Sequence, residues 1–455
     1  MGEGTTIRAT FRPSVRIQVG DGPVSSFGGV AYLREFEERT AFLGPVVLAL
    51  EDTRDPARCR HRAADLLRFA VYARVLGFPD LADADLLRDD PLLRSTLAPG
   101  VQDQVGDPLA AKSTLHRFAT ETLTRRANRR ALFEGLVQTG LQPVLASALR
   151  PRRVYVDVDS TEIEVHGKQE GSCNNGYFRA HCYHPVAVSL GDYGTTLGFL
   201  LRRGNAHTAQ HATLFLLPIL ARVRRLLGPD VEIVVRGDSG FADPTLLAAL
   251  EEHGYHYLIR MRENARLLGK AARIAGRKPG RPAKRRSAYR YLSFAYRAGS
   301  WPAKRRIVAR AEFEPGALFP DWTFVIAQLP RRTKRRRVVR QYLRRGRSEQ
   351  AHDVFKNELH GDLMSHHRMV DNQVRGLLTA LAQNLVVAFD HATRGRRRPR
   401  RPATVRARVL LVAATLVRHA RTLTLRLAAF AKNVGAYRRI AKTLDAIRPA
   451  ARAPT

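Results

Sequence analysis

The sequence predicts an α/β protein, with a mixed-sheet core interrupted by a β-rich insertion and flanked by helical regions on both sides. Three observations lead to this. Apolar spacing is helical up to about residue 150, as in Ala63, Leu66, Leu67, Ala70, Val71 and Val75. At about 152 it switches to short β-rich runs separated by turns such as Gly191-Asp192-Tyr193-Gly194. Two of these runs then end on an aspartate, Asp159 and Asp238, at the edges of predicted strands.

Taken in order, residues 1–150 form a mainly helical N-terminal region that opens with a strand-like arm carrying Val15, Ile17 and Val19. Ser113-Thr114 before Leu115 reads as a helix start, and Arg125 to Arg130 adds basic charge, so this region is expected to read DNA. Residues 151–262 hold strands at 153–158, 182–190 and 195–202, a helix at 207–227, a strand to 236, a helix at 243–253 and a strand at 256–261. Three strands, helix, strand, helix, strand is the order of a ribonuclease H-like core. In open α/β sheets functional groups gather at strand ends, where both aspartates fall. Residues 263–340 read as a basic, β-rich insertion, residues 341–392 as a return to core helix, and residues 393–455 as a basic, largely helical C-terminal region.

The chain has 455 residues, which predicts more than one domain, and 44% hydrophobic residues, which excludes disorder as its main state. Its formal net charge of +36 is spread along the chain and points to nucleic acid, where a lone basic tail would concentrate it. With three cysteines no disulfide framework is implied, and a reducing compartment fits. No apolar run approaches the roughly 18 residues that span a bilayer, and no signal peptide is expected. The expectation is a cytoplasmic protein acting at the nucleoid. Cys173, His181, Cys182 and His184 have poor spacing for zinc.

Against so much positive charge, three carboxylates stand out: Asp159, Asp238 and Glu349. Two aspartates and a glutamate can hold two divalent cations, and magnesium prefers such hard oxygen donors. Asp157 shares a strand face with Asp159 and is the alternative first ligand; Asp159 is favoured for its place at the strand edge beside Ser160-Thr161. Around the third carboxylate, Tyr342, Arg345, Glu349 and Lys356 are three, four and seven residues apart. On one continuous helix they would form a single stripe, with groups that can grip phosphate around Glu349.

These residues carry a resemblance. Tyr342, Arg345, Glu349 and Lys356 fit the Tyr-Arg-Glu-Lys signature of bacterial insertion-sequence transposases of the DDE class. Asp157 to Gly171 and Arg236 to Phe241 are similar to that family's first and second acidic motifs. The resemblance covers about 150–390. It implies a ribonuclease H-like, cut-and-paste enzyme with Asp159, Asp238 and Glu349 as catalytic and metal-binding residues. It also implies two Mg²⁺ ions, for which Mn²⁺ can substitute, with Tyr342, Arg345 and Lys356 on DNA phosphates.

Two further DNA contacts are expected. Lys278 to Lys284, centred on Arg281, resembles an AT-hook that lies in a narrow minor groove. Trp301, between Ser300 and Pro302, is the candidate to stack on a flipped base, as an aromatic does in related hairpin-forming transposases; Trp322 is assigned to the core. The expected partners are double-stranded transposon ends and target DNA, engaged by a homodimer. Water would cleave the end phosphodiester, and the freed 3′-hydroxyl would attack the opposite strand or target DNA. The rival readings are a nuclease or resolvase of the same fold without strand transfer, and a non-catalytic DNA-binding protein derived from a transposase.

Overall fold

The computed structural model describes residues 7–8, 16–17, 22–97, 106–147, 149–275, 287–317, 319–394, 399–419, 422–428 and 431–450. Arg281 and the AT-hook-like segment around it lie outside the described residues.

The N-terminal region is helical as expected. Its principal helices are α1 (Val30–Thr40), α2 (Ala63–Leu76) and α3 (Arg126–Leu145). The core follows with β1 (Arg153–Ser160), β2 (Val186–Leu190), β3 (Thr195–Leu200), α4 (Ala212–Leu227), β4 (Glu232–Gly237), α5 (Pro244–Glu252) and β5 (His256–Met261). This is the predicted order. One boundary moves: the single strand expected at 182–190 is broken at His184-Pro185, and its first part (Ala180–Tyr183) pairs in a separate small sheet. Proline has no N–H to give to a ladder, so it sits at the junction.

The insertion is less separate than its sequence suggests. After α6 (Ala265–Ala275), β6 (Ala288–Tyr296), β7 (Arg305–Phe313) and β8 (Asp321–Gln328) join the core sheet itself. The result is one eight-stranded sheet in the order β6-β7-β8-β5-β4-β1-β2-β3, with β1, β4 and β5 parallel and every other pairing antiparallel. The strands hold it together by burying both faces. Val154, Val156, Ile233, Val235, Phe324 and Ile326 point to the side covered by α4 and α5. Tyr155, Val234, Leu258, Val308 and Val325 point to the other, against Val338, Val339 and Tyr342.

That second cover is α7 (Arg335–Leu343), followed by α8 (Gly346–Asp353) and the long α9 (Met369–Arg394). Helix α9 is buried from Asp371 to Asp390 and shares one core with α1, α2 and the C-terminal segments. Its fully buried Asn384 ties three elements together. It accepts from the Thr196 amide (2.7 Å) and donates to the carbonyls of Thr196 (2.7 Å) and Leu136 (3.4 Å) and to Thr139 Oγ1 (3.2 Å).

The C-terminal region, expected from the sequence to be largely helical over 393–455, also contains two strands. Strands β9 (Ala414–His419) and β10 (Thr422–Leu427) form a hairpin that pairs with Val24–Ser25; beyond α9, the helix among the described residues is a short segment at Pro402–Val405 that widens at Arg406–Leu410, and α10 (Ala431–Ala446). Thr422-Leu423-Thr424-Leu425-Arg426-Leu427 alternates with period two and places its leucines on one face, which a strand satisfies and a helix does not.

Candidate active site

Side chains alternate along a strand, so residues two apart share a face. Tyr155, Asp157 and Asp159 therefore lie on one face of β1, and Val234, Arg236 and Asp238 on the same face of β4, toward α7. The two strands are parallel neighbours in register, ending with Gly237 opposite Val158. Asp238 and Asp159 thus emerge side by side at the carboxyl ends of adjacent strands, where a sheet leaves its backbone ends open to a ligand.

Asp157, the alternative ligand, is occupied elsewhere. Arg236 Nε donates to its Oδ1 (2.5 Å) and Nη2 to its Oδ2 (2.7 Å), and neither side chain is exposed at all. The third guanidinium nitrogen donates to the Gln341 carbonyl (2.8 Å), and the guanidinium lies over Tyr155 at 4.6 Å. This pair binds β1, β4 and α7 to one another. A Cβ on Gly191 would run into it, so the backbone there approaches closely enough to require glycine. Both carboxylate oxygens of Asp157 are thus held inside the sheet, away from solvent.

Asp159 has the opposite character. It is partly exposed, its Oδ1 accepts from the Ser160 amide (3.0 Å), and its Oδ2 accepts from Arg345 Nη2 (2.7 Å). Burial pushes its pKa up to about 6; Arg345 opposes this, while Asp238 and Glu349 add to it. Asp159 thus lies near enough to both other carboxylates to feel their charge. Asp238 caps the short turn that follows it, accepting from the Gly240 amide (2.9 Å). Glu349 is exposed in the first turn of α8.

The single stripe expected for Tyr342, Arg345, Glu349 and Lys356 is not what the chain forms. The helix breaks at Arg344-Arg345, where the Arg345 amide bonds back to the Tyr342 carbonyl (2.8 Å) just before Gly346, and it widens to a π-turn at Val354–Glu358. Tyr342 is buried on the α7 face of the sheet, and burial raises its pKa. Arg345 alone reaches a carboxylate of the site. Lys356 is tied to the chain just beyond Asp159, donating to the Glu162 carbonyl (2.9 Å), Glu162 Oε1 (3.3 Å) and Thr161 Oγ1 (3.5 Å).

Trp301 is placed in the core, not at the site. It is 3% exposed, edge-on to Tyr296 and beneath Arg305, so neither face is open to a base. Its setting between Ser300 and Pro302 suggested exposure, but the indole packs back against the same sheet. Trp322 is in the core, as assigned.

Sequence reasoning missed Arg236, Glu162 and His352. The first had a signal, since it stands two residues before Asp238 and so on the same strand face. His352, on α8, has a buried Nε2 without a partner, and burial together with Arg345 and Lys356 lowers its pKa to about 4.

With this geometry in place, comparison with protein families gives a match over residues 7–449 to transposase DDE domain group 1. The chain belongs to that family. No curated protein sequence matches it. One similar solved structure is the cryo-EM structure of the piggyBac transposase synaptic complex with hairpin DNA. It is 11% identical with a TM-score of 0.43, covering 84% of this chain and 79% of that one, a likeness too distant to carry residue roles across.

DDE transposases cut and rejoin DNA strands and generally use divalent metal ions. The residues of this transposase suit such ions in kind. Asp159, Asp238 and Glu349 are hard oxygen donors, and their mutual repulsion is what a cation relieves. The Arg345 guanidinium already supplies a positive charge at Asp159. Among the described residues, no three acidic, histidine or cysteine side chains are drawn together tightly enough to form a closed metal cage. No helix among them is long and apolar enough to cross a membrane.

Proposed function

We propose that this transposase binds the terminal inverted repeats of a bacterial insertion sequence as a homodimer and catalyses metal-dependent strand cleavage and strand transfer. The observation that carries the reading is the pairing of Asp159 and Asp238 at adjacent parallel strand ends, with Arg345 on the first and Glu349 within electrostatic reach. The order β3-β2-β1-β4-β5, antiparallel then parallel, supports a ribonuclease H-like core. The Tyr342, Arg345, Glu349 and Lys356 spacing supports a member of the Tyr-Arg-Glu-Lys group.

Asp159, Asp238 and Glu349 would hold the metal, Mg²⁺ with Mn²⁺ as a substitute. Ions held there supply two services: they lower the pKa of a bound water or hydroxyl, and they neutralise charge on the leaving oxygen. The protein's own groups do the positioning. Asp159 and Asp238 are fixed by their strands, so they need no reorganisation when substrate arrives. Arg345 is a guanidinium in direct contact with Asp159, and on exchange of that contact its fork is suited to a scissile phosphate. Lys356 holds the Thr161-Glu162 segment and presents a second cation at the site's edge. Tyr342 fixes the start of this segment through its packing against the sheet.

Asp238→Asn or Glu349→Gln is expected to abolish cleavage of inverted-repeat duplexes in Mg²⁺ while leaving end binding within a few-fold. Cleavage that survives in either variant would refute the assignment. Products with free ends but no joined strands would mark a nuclease of the same fold.

A further inference from the structure

Helix α7 carries a charge pattern that its packing does not account for. Every charged residue from Arg331 to Arg345 is basic. Val338, Val339 and Tyr342 turn inward onto the sheet, while Arg336, Arg337, Arg340 and Arg344 are exposed on the opposite side. None of these four makes an ion pair among the described residues. Arg336, Arg340 and Arg344 repeat at intervals of four, so their side chains are neighbours, and like charges at that spacing destabilise a helix. The first turn of α7 is basic too, with no acidic residue to complement the helix dipole. A fold gains nothing from such a row in isolation; a polyanion laid along it would remove both penalties.

The row also leads somewhere. Its end at Arg344 adjoins Arg345, the residue bound to Asp159. Arg260 is exposed near the end of β5, on the same sheet face as Leu258, and its charge acts on Tyr342 together with Arg345, Asp238 and Asp159. Basic residues therefore follow one another along this segment from Arg336 to Arg345, which is bound to Asp159.

We propose that the exposed face of α7, with Arg260, is a track for the phosphate backbone of duplex DNA that delivers the strand to the carboxylate site. From Arg336 to Arg344 the rise is about 12 Å at roughly 1.5 Å per residue, a span of three to four phosphates at about 3.4 Å each. The contacts are with phosphate alone, so the track is independent of sequence. It serves DNA flanking the cut or target DNA as well as the ends themselves. The proposal rests on the DNA-cutting reading of the adjoining site.

The test is binding of the full chain, in EDTA, to a random-sequence duplex of about 30 bp, followed by anisotropy across about 50 to 200 mM salt. In the triple variant Arg336→Gln, Arg340→Gln, Arg344→Gln, the log–log salt slope is expected to be shallower by about 2.7, at about 0.9 per lost phosphate contact. Affinity near 0.1 M salt should fall on the order of a hundredfold. Lysine at the same three positions should keep the slope. So should a control of equal charge loss, Arg225→Gln, Arg438→Gln, Arg439→Gln, on exposed helical arginines elsewhere. An unchanged slope in the α7 variant, an equal loss in the control, or a loss confined to single-stranded DNA would overturn the track. Because this assay needs neither metal nor cleavage, its failure is separate from failure of the catalytic assignment.

Discussion

Replacing Arg236 with methionine tests whether the buried pair, and not hydrophobic packing alone, locks the catalytic strands together. The substitution keeps an unbranched side chain of similar reach but leaves the unexposed Asp157 carboxylate without its ion-pair partner. It also removes the donor to the Gln341 carbonyl and the contact with Tyr155. Breaking a buried ion pair from one side costs about 3 to 5 kcal/mol, since the remaining charge stays desolvated. The lost bond to the carbonyl adds about 1 kcal/mol. The double variant Asp157→Leu, Arg236→Met replaces the pair by apolar groups and should recover most of the loss, giving a coupling energy of about 2 kcal/mol or more. Urea unfolding followed by tryptophan emission is suited to this measurement. The chain's two tryptophans, Trp301 and Trp322, are both buried in the same face of the large sheet. A single variant that costs less than about 1 kcal/mol, or a double variant that costs the sum of the two singles, would show that the charges are not desolvated as described.

Other consequences can be checked in parallel. Protonation of Asp159 competes with a cation, so Mn²⁺ affinity measured by paramagnetic resonance should fall as pH drops through about 6, and Glu349→Gln should move that midpoint down, because Glu349 raises it. His352 stays neutral in the fold to about pH 4, whereas the unfolded chain protonates it near 6.5. Its contribution to stability is therefore complete above pH 6.5 and lost as pH falls toward 4, by up to about 3 kcal/mol; the acid side of a stability–pH curve should be flatter in His352→Gln. Trp301→Ala should cost about 3 to 5 kcal/mol in urea unfolding. A variant of unchanged stability that has lost only hairpin formation would instead restore the base-stacking role.

Much of the fold was legible in the chain because it rests on local periodicity. Both the switch from helical to alternating spacing near 152 and the order of core strands and helices survive in the structure. The C-terminal hairpin departs from the helical expectation for 393–455 because Leu423, Leu425 and Leu427 alternate with Thr422, Thr424 and Arg426, which is the period of a strand. The insertion's strands were visible, but their membership in the catalytic sheet was not. That depends on Tyr257 to Met261 pairing with Phe324 to Gln328, a contact between distant segments that no local pattern encodes.

The same division runs through the site. The sequence by itself determined that this is a strongly basic chain with a few acidic residues at strand ends and a Tyr-Arg-Glu-Lys spacing, since these are matters of composition and order. Only the tertiary structure gave the two aspartates of β1 different surroundings. They differ by two residues and share a face, so alternation treats them alike. What separates them is the neighbouring strand, where Arg236 lies beside Asp157 and pairs with it inside the sheet, while Asp238 lies beside Asp159 and repels its charge, leaving Arg345 from the following segment to pair with it at the partly exposed strand end. The stripe around Glu349 failed for a related reason. The spacing is that of one regular helix, whereas the chain breaks at Arg344-Arg345, between the packing of Tyr342 on the sheet and the contact of Arg345 with Asp159.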